Sequence, residues 1–256
     1  MHDKDGYRFA GRDGLELAFH ETGSGRPLIL LHGFMGAGAR WLDYSVAGTL
    51  VEQGHRVILP DLRGHGQSSR SHDPAAYPPD VLADDGLALI EHLGLGDGDY
   101  DLGGYSAGGR IAVRMLVRGA KPGRAIVAGQ GLEKITGPQG ADVYRRVLGA
   151  LVDGREFEPG SSDARMAHWV SELGADPRAL LLVLDSLVPT TEADLRRITI
   201  PTLVAIGDQD ERSDADELAA LLPDAEYARV PGNHGTTFAA PELAAVITAF
   251  LARGSG

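Results

Sequence analysis

An α/β fold, an eight-stranded and mostly parallel sheet flanked by helices with an inserted helical cap, is predicted by two observations. Short apolar runs bounded by Gly, Pro and Asp alternate with amphipathic stretches of helical length along most of the chain. That rhythm breaks once, between Leu132 and Arg197, where helical patterns follow one another with no strand between them. The 256 residues suit one such domain with an insertion. The expected division is therefore a core of residues 1–131 and 198–256 and a cap of residues 132–197.

The first two strands, Tyr7 to Ala10 and Leu15 to Glu21, have no helix between them, and the Asp13-Gly14 pair joining them is a hairpin signal, so they form an antiparallel edge. The remaining six are Leu28 to Leu31, Val57 to Leu59, Tyr100 to Leu102, Ala125 to Ala128, Thr202 to Ile206 and Ala225 to Val230. Helices are expected over Ala39 to Gln53, Pro79 to Leu93, Ala107 to Arg118, Ala215 to Leu222 and Pro241 to Leu251, with Gly54, Gly94 and Gly119 placed as C-terminal caps. Three more fall in the cap: Val143 to Val152, Ser162 to Leu173 and Pro177 to Leu187.

Composition narrows the function. With 43% hydrophobic and 23% charged residues the chain is ordinary globular protein. It has no cysteine, which removes disulfides, thiolate nucleophiles and cysteine-held metals, and is compatible with a reducing cytoplasm. A net charge of −12 without a basic run argues against nucleic acid as a partner. The amino-terminal stretch lacks the apolar core of a signal peptide, and no apolar run approaches the ~20 residues of a membrane span. The expectation is a cytoplasmic protein with a small-molecule substrate; its oligomeric state stays open. No metal or cofactor is expected: Asp97-Gly98-Asp99-Tyr100-Asp101 starts like a calcium loop but has Leu102 where the turn needs glycine, and neither a Walker lysine nor an HExxH occurs.

Gly104-Tyr105-Ser106-Ala107-Gly108 matches the G-x-S-x-G elbow, in which a serine stands on a tight strand-to-helix turn and small residues two positions away let backbones pass closely. A serine nucleophile needs a base, and the base needs an orienting carboxylate. His234, in Pro231-Gly232-Asn233-His234-Gly235 after the last strand, is the best base in the chain. Asp210 follows the strand ending at Gly207, with Asp208 and the remoter Glu133 as competitors. Backbone donors for an oxyanion are assigned to Phe34, in the His32-Gly33-Phe34 turn, and to Ala107, directly after the nucleophile. Asp61, Arg63 and His65, in a further strand-end loop, read as scaffold.

Together, the His-Gly-Phe turn, the Asp61-Leu62-Arg63-Gly64-His65-Gly66-Gln67-Ser68 loop, the elbow and the order Ser106, Asp210, His234 resemble the α/β-hydrolase fold superfamily. The resemblance implies a cofactor-free serine site under a helical lid, and it supports Asp210 over Asp208 through the family spacing Gly-x-x-Asp. It leaves the reaction open. A serine at 106 argues against the carboxylate-nucleophile epoxide hydrolases and haloalkane dehalogenases. Leu31 to Gly38 with Trp41, together with Gly104 to Arg110, is also similar to the menaquinone-pathway succinyl-hydroxycyclohexadiene-carboxylate synthase, a pyruvate-eliminating lyase; there the arginine four residues after the serine holds an anionic substrate, and Arg110 matches it. Hydrolysis of a carboxylic ester, lactone or thioester with a small to medium, largely apolar substrate is the first expectation. The lyase and a non-catalytic ligand receptor are the alternatives. Met35, Tyr105, Met166 and Trp169 join Arg110 as expected substrate contacts, and activity is expected to fall on the acid side as the base protonates.

Overall fold

A computed structural model describes residues 6–137 and 142–253; the two ends of the expected core and four residues of the expected cap lie outside the described residues. The chain forms one eight-stranded sheet. Strands β1 (Tyr7–Ala10), β2 (Glu16–Gly23), β3 (Arg26–Leu31) and β4 (His55–Asp61) are followed by β5 (Asp101–Tyr105), β6 (Ala125–Ala128), β7 (Thr202–Gly207) and β8 (Ala225–Val230). Their spatial order is β1-β2-β4-β3-β5-β6-β7-β8. The β1–β2 and β2–β4 pairs are antiparallel and all others parallel, so the expected antiparallel edge is present.

Period-two alternation places the two cores. In β3, Leu28 and Leu30 join one apolar cluster while Ile29 and Leu31 join the other, on the opposite face. Helices α1 (Ser45–Glu52), α2 (Val81–His92) and α3 (Ala107–Val117) divide between these faces. The face of α1 also carries Trp41 and, from the carboxyl-terminal helix, Leu243 and Ile247; that of α2 and α3 carries the larger cluster. Between β6 and β7 run α4 (Leu132–Thr136), α5 (Asp142–Val152), α6 (Ser162–Glu172), α7 (Pro177–Ser186) and α8 (Glu192–Leu195), and no strand occurs among the described residues of this stretch. Helices α9 (Ala215–Leu221), α10 (His234–Thr237) and α11 (Pro241–Ala252) complete the chain.

Two expected helices differ in physically explicable ways. The stretch expected as one helix over 39–53 is a 3₁₀ segment, Gly38–Asp43, and then α1, with Tyr44 extended between them. The Asp61 carboxylate at the end of β4 accepts the Gly38 amide at 2.6 Å, and Trp41 is fully buried, so this turn is fixed by tertiary contacts before α1 begins. Helix α2 starts at Val81 rather than Pro79, because Asp80 adopts φ 66° and gives its carboxylate to Arg114 Nε at 2.8 Å.

Candidate active site

The carboxyl ends of β3, β5, β6 and β7 converge on one cavity of about 470 Å³. Ser106 follows β5 and precedes α3 with φ 55° and ψ −119°, a conformation costing about 1–3 kcal/mol for a residue with a side chain. Glycines make this turn possible: a Cβ at Gly104 would overlap the Gly108 backbone, and one at Gly108 would overlap the carbonyl of Leu31. The elbow is thereby pressed against β3. The Ser106 backbone is held in turn, its amide donating to Ala128 O at 2.8 Å and its carbonyl accepting Gln130 Nε2 at 2.5 Å.

Facing the serine is His234, whose Nε2 lies 3.0 Å from Ser106 Oγ. Its Nδ1 lies 2.8 Å from Asp210 Oδ2. Because the carboxylate accepts from Nδ1–H, Nε2 is left with the lone pair that faces the hydroxyl. Ser106 thus joins two residues more than a hundred positions further along the sequence in one hydrogen-bonded chain. His234 opens the single turn α10. Asn233 caps that turn, accepting the amides of Gly235 at 3.0 Å and Thr236 at 3.1 Å. The Tyr105 hydroxyl donates to the His234 carbonyl at 2.6 Å, and burial holds that phenol well above its ordinary titration range.

Asp210 is buried and burial alone would raise its carboxyl. The His234 hydrogen bond, the Arg212 amide and the neighbouring charges of His234 and Arg212 outweigh that and hold it below the usual value. Its competitor Asp208 turns away and accepts the Gly232 amide at 2.9 Å, capping that turn. Glu133 is exposed in α4.

The turn carrying Phe34 lies beside the serine: a Cβ on Gly33 would sit 3.5 Å from Ser106 Cβ. His32 organises this turn. Its Nε2 accepts the Leu62 amide at 3.0 Å, so Nδ1 carries the proton and donates to Gly33 O at 2.8 Å. That carbonyl belongs to the peptide unit whose N–H is Phe34's, so the bond orients the Phe34 amide. Burial pushes the His32 imidazole down to about 3, which keeps it neutral in this role. His65 reaches Phe34 O at 2.5 Å from the other side. The amides of Phe34 and Ala107 make no hydrogen bond among the described residues.

Of the expected substrate contacts, Met35, Tyr105, Arg110 and Trp169 line the cavity. Met166 is not on that wall; it packs half-buried against the apolar core, three residues along α6 from Trp169. Arg110 is 2% exposed and donates to the Lys134 carbonyl. The reading missed Lys134, Tyr144, Leu184 and Arg212, which also line the cavity, because nothing in their local sequence marks them.

A profile described as the alpha/beta hydrolase fold matches residues 26–145. Over 255 residues the chain is 29% identical to the non-heme chloroperoxidase of Kitasatospora aureofaciens, covering 88% of this chain and 90% of that one. It is 28% identical to a non-heme haloperoxidase of Rhodococcus erythropolis, over 87% of this chain and 90% of the relative. Among solved structures, a thermophilic esterase from Thermogutta terrifontis superposes with a TM-score of 0.74 at 25% identity, over 96% of this chain and 98% of that one. The sheet order, the elbow and these likenesses agree: the chain has the α/β-hydrolase fold, and the model of that family matches just under half of it.

Proposed function

We propose that the protein is a cofactor-free serine hydrolase that cleaves a carboxylic ester, lactone or thioester through an acyl-enzyme. The observation carrying this reading is the hydrogen-bonded chain from Ser106 Oγ to His234 at 3.0 Å and on to Asp210 at 2.8 Å. In the first step His234 Nε2 takes the hydroxyl proton as Oγ bonds to the acyl carbon, and Asp210 stabilises the imidazolium that results. The Phe34 and Ala107 amides receive the developing oxyanion, a contribution worth roughly a hundredfold in rate per donor. The proton then passes to the leaving alcohol, and water, activated by the same imidazole, releases the acid.

The described residues of the stretch 132–197 serve as the lid over this site. Tyr144, Trp169, Leu184 and Leu187 come from it to the cavity, where they meet Phe34 and Met35. Phe34 and Tyr144 pack edge to face with centroids 5.0 Å apart. Such walls suit a small to medium apolar acyl group. Among the described residues no helix is long and apolar enough to cross a membrane, and a small soluble ester fits an open cavity of this size.

The test is hydrolysis of p-nitrophenyl esters of increasing acyl length by the protein and by a folded Ser106→Ala variant. Turnover with a defined optimum length, abolished by the substitution, is expected. Turnover that survives in Ser106→Ala, or none by folded wild type, would overturn the reading. The relatives named haloperoxidases favour a second reading, in which hydrogen peroxide replaces water in releasing the acyl group; peroxide-dependent halogenation that needs a carboxylate co-substrate would support it.

A further inference from the structure

Asp210 does not serve His234 alone. Its Oδ2 faces His234 Nδ1, while Oδ1 accepts twice from Arg212, from the backbone amide at 3.1 Å and from Nη1 at 3.1 Å. The carboxylate is shared between the imidazole and a guanidinium whose side chain is only 14% exposed. Arg212 gives something up to stand there: its Nε is buried and has no hydrogen-bond acceptor among the described residues. Its other carboxylate neighbour is Glu211, at 3.7 Å and 80% exposed, which is a weak screened contact. A merely structural arginine would be expected to place its whole fork on acceptors. This one is instead placed by the outward oxygen of Asp210.

The geometry points to Arg212 as a positioning residue of the Ser106–His234–Asp210 chain, one that clamps the outward oxygen of Asp210 and so weakens that carboxylate's hold on a protonated His234. The first effect is orientation. With Oδ1 fixed by two donors, the carboxylate cannot rotate Oδ2 away from the imidazole. The second is electrostatic. A cation on the far oxygen offsets part of the negative charge that the carboxylate presents to the imidazole. Among the described residues no other charged side chain pairs with Asp210; Arg40, Arg110, Lys134 and Glu211 are the further charged groups on the wall of the cavity that His234 faces. Ser106 and the Tyr105 ring, 5.3 Å from the His234 ring, are neutral, and Asp208 is turned towards Gly232.

This inference deepens the proposed serine chemistry, and its test has one arm that needs no substrate. Arg212→Met and Arg212→Lys would be compared with wild type after circular dichroism and thermal melting have shown each to be folded. In the first arm the His234 ring protons are followed by NMR from pH 4 to 9, assigned with His234→Gln. In the second, kcat/KM for a p-nitrophenyl ester is measured over the same range. Removing the cation is expected to move the ring titration and the acid limb of kcat/KM upwards together, by about one pH unit. Lysine, which keeps the charge, stays within a few tenths of wild type. An unshifted midpoint in folded Arg212→Met overturns the electrostatic role, and an equal shift in Arg212→Lys would show that packing rather than charge is responsible. Should the protein hydrolyse no ester, the NMR arm still decides the inference, so its failure and that of the serine-hydrolase reading remain distinct.

Discussion

Ser106 stands in a backbone conformation that its own side chain disfavours, with φ 55° where β5 meets α3. Ala at this position would keep the Cβ and the strain, whereas Gly would relieve it at the cost of the hydroxyl. Folding and chemistry therefore pull in opposite directions at this residue. Ser106→Gly is expected to melt above Ser106→Ala by about 2–4 °C, corresponding to roughly 1 kcal/mol of released strain in a domain of this size. Both variants should be inactive. Differential scanning calorimetry of the two checks it, and equal melting temperatures would mean that the elbow stores no strain. The neighbouring glycines carry the complementary constraint, since a Cβ at either Gly104 or Gly108 meets backbone that cannot move aside.

At the scale of elements, His234 is held by one short helical turn. Asn233 accepts the amides of Gly235 and Thr236, and Thr236 Oγ1 returns the bond by accepting the Asn233 amide at 2.9 Å. Asn233→Ala is expected to cost about 1 kcal/mol of stability through the lost cap. It should also lower kcat more than it changes KM, because the imidazole loses its fixed orientation while the cavity walls stay in place. Steady-state kinetics with any turned-over ester separates the two. This turn also shows what the sequence discloses. The Pro231-Gly232-Asn233-His234 string singled out His234 because turn-forming residues flank it, and Gly104 to Gly108 singled out Ser106 because small residues are obligatory there. Strand positions were legible from period-two alternation that the sheet faces impose, as in Leu28 to Leu31. By contrast, the break before α1 depends on Trp41 and on Asp61 binding Gly38, a contact across 23 positions. Tyr144 reaches the site only through the packing of a separate segment, which leaves no periodic trace; Arg212 lies two residues from Asp210, but nothing in the string shows that its side chain folds back onto that carboxylate. Met166 was misplaced because helix α6 carries no pattern that fixes which face meets the cavity.

The whole molecule carries an acid sensitivity that the site shares with the scaffold. His32, His65 and His55 are each held below the ordinary imidazole value, chiefly by burial, which disfavours the cation. For such a group the unfolded chain binds a proton before the folded one does, so its stabilising contribution is present above the unfolded value near 6.5 and is lost as pH falls towards the folded value. With His32 held at about 3, the loss from that residue alone reaches about 2 kcal/mol by pH 5. Carboxylates add to the effect at lower pH: the Asp13, Asp61 and Asp210 groups titrate below their ordinary range when folded, so their contribution is present above the unfolded value near 3.9 and disappears beneath it. Asp85 opposes them, burial raising its carboxyl despite the Arg63 hydrogen bonds at 2.7 and 2.8 Å. Because imidazoles outrank carboxylates in titration order, the melting temperature should begin to fall near pH 6.5, by about 4–8 °C at pH 5 for His32 alone, rather than holding level down to the carboxylate range. Calorimetric scans at pH 7.5, 6.5, 5.5 and 4.5 would show it. A melting temperature constant from 7.5 to 5 would mean that His32 and His65 accept protons in place, and the Phe34 turn they fix would then have to tolerate two buried cations.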